Sequence, residues 1–428
     1  MAEGERMRVN GNCKWLVIVL LLAVVSVFFA GCTAGDASGV TPDPKTAGTG
    51  FRTVTDSRGV EVQVPENIER VVSVSDGLIE GGTMFALGVG DKIVAHGSSC
   101  IPGGKGNWTY SYSTTDGIVN GTGGKHVEGV LMPPHLNDLP PQVMNHNMAM
   151  NYETLCSLEP DVVIMRPGCC TVPTTDSDKI EKTIRTLESL GIPLVVLHSP
   201  NCYDRPNLKI ISDEINIIGE VFGKEEEAER IAGCLESRLE MIKERTGNIP
   251  EEEKSKVLMF GLSSYNAQYG YPTNGPGVSY GLGTTESYMV EGIVNAKNAY
   301  RSDIGSYQML STEQVLALDP DVVVLSTWCG HHPADELYHS TNYQNLHLLS
   351  AVENNRVASL PFMPCNCVRR LEYPIELMVI ANAAYPERFS DIDQGEWLLS
   401  FYMDVYGVDE VTAKALRSAQ WMDWCADE

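Results

Sequence analysis

Short apolar segments alternate with segments of helical spacing along most of the chain, and this alternation predicts the fold. Each apolar segment runs into a loop rich in Gly, Ser, Cys, His or aromatic residues. Buried strands that alternate with helices are typical of a parallel sheet covered on both faces. The predicted strands are 71–74, 93–95, 161–165, 194–197, 256–260, 321–325 and 356–360, and a hairpin at 51–64 precedes them.

One long stretch of helical spacing separates the two series of strands. Residues 210–245 carry apolar positions at helical intervals, are rich in Glu and Lys and contain no Pro, which predicts a long helix that could break near Gly223. The predicted fold is therefore two doubly wound α/β lobes joined by one long helix. The lobes are assigned to 51–208 and 249–428, and the connecting helix to 209–248.

The two lobes are expected to resemble each other. Residues 151–163 and 311–323 each read as an amphipathic helix, a Pro-Asp turn and a buried strand. A repeated supersecondary unit of this kind favours two similar halves.

The N-terminus has the layout of a secretory signal. Basic residues precede an apolar run from Trp15 to Ala30, which is shorter than the ~20 residues that span a bilayer. Phe29-Ala30-Gly31-Cys32 resembles the box of prokaryotic lipoproteins, and this resemblance implies a lipid anchor on Cys32. We predict a signal peptide at 1–31 and a flexible tether at 32–50, with an uncleaved anchor helix as the alternative. Both interpretations place the body at the outer face of the cytoplasmic membrane.

Composition narrows the possible partners. A formal net charge of -25 argues against nucleic acid, whose phosphates demand a basic face, and leaves membrane attachment to the tether. Of the 12 cysteines, all but Cys13 and Cys32 belong to the body, as disulfides or as thiols. The chain has no phosphate-cradling Gly-x-x-x-x-Gly-Lys, so any work driven by ATP needs a separate ATPase.

Several short patterns occur in the order seen in one known family. They are Val54-Thr55-Asp56-Ser57-Arg58-Gly59, Arg70-Val71-Val72, the segment 85–94, the Pro-Asp-Val-Val segments at 160–163 and 320–323, and Asn355-Arg356-Val357. Together, over roughly residues 51–390, they resemble the iron-siderophore and cobalamin binding proteins of ABC importers. The resemblance implies a monomeric, non-enzymatic protein without an intrinsic cofactor. Its lobes would hold a ferric siderophore-type complex or a corrinoid and present it to a permease.

Some positions depart from the family pattern. Family members often carry an acidic residue on the first helix of each lobe, where the permease docks. Alignment puts Gly82 at that position, so Glu80 is only a neighbouring candidate, and Glu286 and Glu291 bracket the position in the second lobe. The segment 103–150 is longer than the pattern, and its paired prolines predict a loop over the cleft.

The candidate ligand site follows from the strand order. In open α/β sheets ligands bind outside the carboxyl ends of the strands, so the loops after the strands are expected to face the cleft. Aromatic residues there suit a flat chelate, Arg would pair with its acidic groups, and His or Cys could ligate a metal whose identity stays open. The candidates are Ser75, Asp76, His96, Cys100, Arg166, Cys169, Cys170, His198, Tyr203, Tyr265, Trp328, His331 and Arg369.

Two other functions stay open at this point. A direct transition-metal-ion binder would use His and Cys of the same loops. A secreted serine hydrolase would use Gly277-Val278-Ser279-Tyr280-Gly281, which matches the Gly-x-Ser-x-Gly nucleophile elbow. A strand should run directly into that motif, yet the segment 271–276 before it contains Pro272 and Pro276.

Overall fold

The two largest sheets of this computed structural model lie one in each half of the folded chain. The elements below belong to one compact unit, residues 49–428. The structure describes residues 50–75, 78–97, 108–131, 142–144, 148–169, 171–203, 205–263, 275–328, 330–362 and 370–426. Within these ranges, no helix has both the length and the apolar character to cross a bilayer.

The strands are β1 (Phe51–Thr55), β2 (Glu61–Pro65), β3 (Val71–Val74), β4 (Ile93–His96), β5 (Trp108–Thr114), β6 (Gly117–Gly124), β7 (Val162–Met165), β8 (Leu194–Val196), β9 (Lys256–Leu262), β10 (Gly277–Tyr280), β11 (Lys297–Asn298), β12 (Tyr307–Leu310), β13 (Val322–Leu325) and β14 (Val357–Ser359). The helices are α1 (Leu78–Ala86), α2 (Val127–Leu131), α3 (Tyr152–Ser157), α4 (Ser177–Ser189), α5 (Lys209–Phe222), α6 (Glu225–Thr246), α7 (Thr285–Ser287), α8 (Thr312–Leu318), α9 (Ala334–His339), α10 (Ser350–Glu353), α11 (Tyr373–Ala384), α12 (Gln394–Tyr406) and α13 (Glu410–Ala419). A π-helical turn at Tyr288–Ile293 follows α7, and 3-10 turns occur at Gly90–Lys92, Pro200–Cys202, Glu251–Glu253, Thr341–Leu346, Pro386–Arg388 and Asp423–Ala426.

The sheet of the first lobe is parallel, as predicted. Its strand order is β4-β3-β7-β8, and every pair in it is parallel. All residues of β3 and β7 are buried, because helices cover both faces, and this is why these strands read as unbroken apolar runs. The predicted hairpin is β1–β2, and Asp56 at its turn accepts a hydrogen bond from the Val196 amide at 3.1 Å, which ties the hairpin to β8.

The sheet of the second lobe is mixed, which corrects the expectation of a parallel sheet. Its order is β12-β10-β9-β13-β14, with β11 on the edge of β9. The strands β9, β13 and β14 run parallel, whereas β10 runs antiparallel to both of its neighbours. The four residues of β10 include Gly and Ser, so the sequence contains no apolar run that would predict this strand.

The predicted long helix is two helices packed against each other. α5 ends at Gly223, whose φ of 63° is the left-handed conformation that glycine adopts most readily. The chain then turns back into α6, and a Cβ added at Gly219 would lie only 2.4 Å from the Ala228 Cβ. α5 packs on α1 and β1 of the first lobe, whereas α6 packs on α11 and α12 of the second. α6 alone is therefore the connecting helix.

The segment predicted as a loop over the cleft contains a β-hairpin. β5 and β6 pair over residues 108–124, and the alternation of Trp108, Tyr110 and Tyr112 along β5 was the period-two signal for a strand. The hairpin reaches the second lobe, where the Tyr110 ring lies 5.4 Å from that of His331 and 5.1 Å from that of Trp421. It thus joins the lobes instead of lying loosely above them.

Candidate functional site

A buried ion pair lies at the carboxyl end of β7. Arg166, the first residue after this strand, donates from Nε to Glu214 Oε1 at 2.6 Å and from Nη2 to Glu214 Oε2 at 3.0 Å. Both side chains are 0% exposed, and Nη1 of Arg166 has no hydrogen-bond partner among the described residues. Glu214 lies on α5, so this helix of the first lobe holds Arg166 in place.

Glu80 forms the second buried charged group of this edge. Ser73 Oγ donates to Glu80 Oε1 at 2.5 Å, and Ser75 Oγ donates to the same oxygen. Burial raises the pKa of Glu80 to about 7, against the hydrogen bond from Ser73 and the charge of Arg166. Glu80 is 0% exposed. A buried carboxyl presents no surface to a partner, so this arrangement does not support the docking role of Glu80, which stays a prediction.

The loops after β7 and β8 pack tightly together. Gly168 has a φ of 87°, and a Cβ there would lie 2.0 Å from Ser199 Oγ, so only glycine fits this turn. Asn201 Nδ2 donates to the Gly168 carbonyl at 3.0 Å. This packing places Cys169 in the interior, where its Sγ accepts a hydrogen bond from the Val172 amide at 3.3 Å.

The two candidate histidines of the first lobe differ in environment. His96 ends β4 and is buried. His198 follows β8 and is half-buried, and burial lowers its pKa. Its ring lies 6.4 Å from that of Tyr203, which is 41% exposed. Tyr203 therefore offers an aromatic face at the carboxyl edge of this sheet.

Trp328 and Tyr307 form the matching aromatic surface in the second lobe. A Cβ added at Gly261 of β9 would lie 2.3 Å from the Trp328 Cβ, so the absence of a side chain there lets Trp328 lie on the strand. The ring of Trp328 lies 4.4 Å from that of Tyr307, which is 51% exposed. Sequence analysis missed Tyr307 because it begins a strand and does not follow one.

The adjacent histidines of the second lobe point to different partners. His332 joins Glu336 Oε2 through Nδ1 at 2.8 Å and the Trp328 carbonyl through Nε2 at 2.8 Å. His331 is 4% exposed within an aromatic cluster, and burial together with the neighbouring His332 lowers its pKa to about 3. His331 therefore stays neutral at physiological pH. Within the described ranges, no three His, Cys, Asp or Glu side chains form a metal-ligating group.

The structure thus brings some candidates together and separates others. Ser75 and Arg166 lie on neighbouring strand ends of the first lobe, since Val74 pairs with Met165. His331 lies instead against the β5–β6 hairpin. Asp76, Cys100, Cys170, Tyr265, Arg369 and Cys32 lie outside the described residues.

The remaining docking candidates and the hydrolase motif are also placed. Glu286 is 5% exposed, so its burial, like that of Glu80, does not support its predicted docking role. Glu291 is partly exposed but pairs with Arg301. Ser279 is fully buried inside β10, and its Oγ donates to the Met259 carbonyl at 3.0 Å. A hydroxyl in mid-strand with this partner is not a nucleophile elbow.

Comparison with known proteins identifies relatives of this chain. Residues 104–364 match the family model described as periplasmic binding protein. The molybdate-binding protein MolA of Haemophilus influenzae is 22% identical over 300 residues, which cover 65% of this chain and 73% of MolA. An uncharacterized ABC transporter substrate-binding lipoprotein of Bacillus subtilis, YvrC, is 24% identical over 272 residues, covering 64% of this chain and 68% of YvrC.

Solved structures share the fold. A periplasmic solute binding protein from Veillonella parvula superimposes with a TM-score of 0.65 at 21% identity, over 87% of this chain and 98% of that protein. The molybdate-bound structure of MolA superimposes with a TM-score of 0.59 at 18% identity, over 84% of this chain and 98% of MolA. The predicted class, two α/β lobes joined by a helix, is confirmed.

Proposed function

Because the chain belongs to the periplasmic binding protein family, we propose that it captures a metal chelate between its two lobes, a ferric siderophore-type complex or a corrinoid. The chain is an extracytoplasmic solute-binding protein of an ABC importer and not an enzyme. Its partners are a permease and an ATPase. A lipid on Cys32 would hold it at the outer face of the membrane and raise its effective concentration near the permease.

Aromatic faces on both lobes carry this proposal. Tyr203 is exposed at the carboxyl edge of the first sheet, and Tyr307 packs beside Trp328 in the second. The two walls come close together, since Thr285 Oγ1 donates to Asn201 Oδ1 at 2.9 Å across the lobes. Flat aromatic surfaces gain most from a ligand with a large planar or conjugated body. A metal chelate or a macrocycle offers such a body.

The charges at the first-lobe edge favour a chelate over a small oxyanion. MolA is named for molybdate, a compact dianion that requires unpaired donors and positive charge. Here Arg166 is neutralised by Glu214 and also lies near Glu80, so the three groups together carry no positive charge once Glu80 ionises. These three buried groups therefore supply no net positive charge to a dianion.

The lobes are expected to move little when the ligand binds. Several contacts connect the two lobes. They include the helix α6 and the Asn201–Thr285 hydrogen bond. They also include the packing of Tyr110, on the β5–β6 hairpin, against His331 and the hydrogen bond of 2.8 Å from the Lys125 amide to the Ala419 carbonyl. A ligand must then enter a largely preformed cleft. Small-angle scattering of the protein with and without ligand should give nearly equal radii of gyration, and a large change would contradict this mechanism.

The ligand class can be tested by direct titration. The full chain in detergent is titrated with ferrichrome, cyanocobalamin, haemin and sodium molybdate in a calorimeter. We expect ferrichrome or cyanocobalamin to bind, and Trp328→Ala to weaken that binding at least about tenfold, which corresponds to about 1.4 kcal/mol. Phe51→Ala removes a 59% exposed aromatic residue of β1 and serves as the control that leaves affinity unchanged. Binding of molybdate alone would refute the chelate proposal and favour an oxyanion carrier.

The anchor has its own test. Labelled palmitate should be incorporated into the unmodified chain and not into Cys32→Ser, which lacks the thiol that the lipid would modify. A membrane-bound unmodified chain that incorporates no label and keeps residues 1–31 would favour the uncleaved anchor helix.

A further inference from the structure

A separate pocket opens on the second lobe along β14, the last strand in its sheet. Its volume is about 390 Å³, within the range of roughly 300–1,000 Å³ that small-molecule sites occupy. β14 forms one wall, and the last turn of α11 forms another. The pocket therefore lies at the side edge of the sheet. Of the predicted ligand-binding residues that the structure describes, only His331 lines this pocket.

Several polar side chains of this pocket have unused hydrogen-bonding capacity. Asp335, Asn355, Asn382 and Gln394 line it, and their side chains make no hydrogen bond or ion pair with any described residue. Arg356 differs, because its Nη2 already donates to the carbonyls of Ala383 at 2.8 Å and Ala384 at 2.9 Å. The pocket thus presents planar amides, one carboxylate and a guanidinium that backbone carbonyls engage only through Nη2.

Two tryptophans complete the lining. Trp421 is held by rings on several sides, at 5.1 Å from Tyr110, 4.9 Å from Phe362 and 4.7 Å from His331. Trp424 is 37% exposed, which is a high value for the largest aromatic side chain. One ring is therefore rigidly fixed and the other is open to a ligand.

This combination selects a polyhydroxylated ligand. An amide donates from nitrogen and accepts at oxygen in one plane, so three amides and a carboxylate match neighbouring hydroxyls, which also donate and accept. The apolar C–H face of a sugar ring packs on an indole ring. The lining carries one carboxylate, Asp335, and one guanidinium, Arg356, while burial keeps His331 neutral. The two opposite charges offset each other, so the pocket favours a neutral ligand over an anion.

We propose that this pocket binds a neutral saccharide of the cell exterior, independently of the solute carried between the lobes. The extracytoplasmic location places the pocket where such saccharides occur. Trp424 would stack on the sugar ring, and Asp335, Asn382 and Gln394 would bond its hydroxyls. The site would tie the carrier to a surface polysaccharide.

Binding is tested with the full chain in detergent on a microbial glycan array, followed by calorimetry with glucose, N-acetylglucosamine, galactose, maltose and chitobiose. We expect at least one saccharide to bind saturably. Trp424→Ala and Asn382→Ala should each weaken that binding at least about tenfold with an unchanged circular dichroism spectrum. The control is Phe51→Ala, which removes an exposed aromatic residue of β1. This variant should bind the saccharide as tightly as the unmodified chain does.

Several results would overturn the proposal. Failure of every arrayed glycan and every titrated sugar to bind would overturn the proposal. Binding that survives both Trp424→Ala and Asn382→Ala would overturn it as well, because the sugar would then sit elsewhere. Titration with methylamine and putrescine tests whether the pocket is a cation site instead. If these amines bind where sugars do not, and Asp335→Asn abolishes that binding, the saccharide proposal is refuted. None of these outcomes depends on the chelate between the lobes.

Discussion

The buried pair of Arg166 and Glu214 leads to a quantitative stability prediction. Glu214→Gln removes the charge that faces Arg166 across hydrogen bonds of 2.6 Å and 3.0 Å. Both side chains are 0% exposed, so water cannot replace the lost partner. A buried charge left unpaired in this way typically costs about 3–5 kcal/mol. Glu80 is close enough to interact with Arg166, so we expect a loss of free energy of unfolding near the lower end, about 3 kcal/mol.

Urea titration followed by circular dichroism measures this loss. The matched control is Glu181→Gln, which breaks an ion pair with Arg185 of 3.1 Å between side chains that are 64% and 68% exposed. Such a surface pair contributes about 0.3–0.5 kcal/mol. The double variant Arg166→Met with Glu214→Leu removes both charges and should recover most of the stability. If Glu214→Gln costs no more than Glu181→Gln, the pair is not buried as described and the reasoning fails.

Three further predictions concern pH, the hairpin and a turn. The pKa of Glu80 is raised from 4.5 to about 7 in the folded protein, so its contribution to stability is fully present below pH 4.5 and is lost as pH rises through 7. This loss is on the order of 3 kcal/mol. Glu80→Gln should therefore make the free energy of unfolding, measured with urea, depend less on pH between pH 5 and 8. An unchanged dependence on pH would contradict the raised pKa of Glu80. Tyr110→Ala should cost about 1–3 kcal/mol and speed amide exchange near His331, whereas Ile118→Ala, 68% exposed at the hairpin tip, should change neither. Gly168→Ala should destabilise the protein by about 1–3 kcal/mol, because φ is 87° and Ser199 Oγ is too close to the added Cβ. Gly233→Ala, whose added Cβ would meet nothing within 4 Å, should stabilise it slightly. Equal melting temperatures for the two variants would contradict this prediction.

The candidate site was only partly predictable from the sequence. Strand-end loops were the right place to look for Ser75 and Arg166, because parallel strands bring their carboxyl ends to one edge. Glu214 could not be found this way, since it lies on a helix and is separated from Arg166 by 48 positions. Tyr307 was missed for a similar reason, because only the folding of β12 beside β10 brings it to Trp328.

The helix boundary at Gly223 also shows which features the sequence predicts and which only packing decides. A break at Gly223 is visible in the sequence, because glycine readily takes the left-handed conformation that ends a helix. Whether the next helix continues or folds back is decided by side-chain packing, here by the close contact of Gly219 with Ala228. The periodicity of both segments is the same in either arrangement.

The sequence by itself predicted the extracytoplasmic location, the two series of strands and the parallel sheet of the first lobe. It could do so because strands buried on both faces must be apolar throughout, and local composition records that burial. Only the tertiary structure decided the antiparallel β10, the packing of the β5–β6 hairpin on His331 and the pocket beside β14. Each of these depends on contacts between residues far apart in the chain, and such contacts leave no local pattern to recognise.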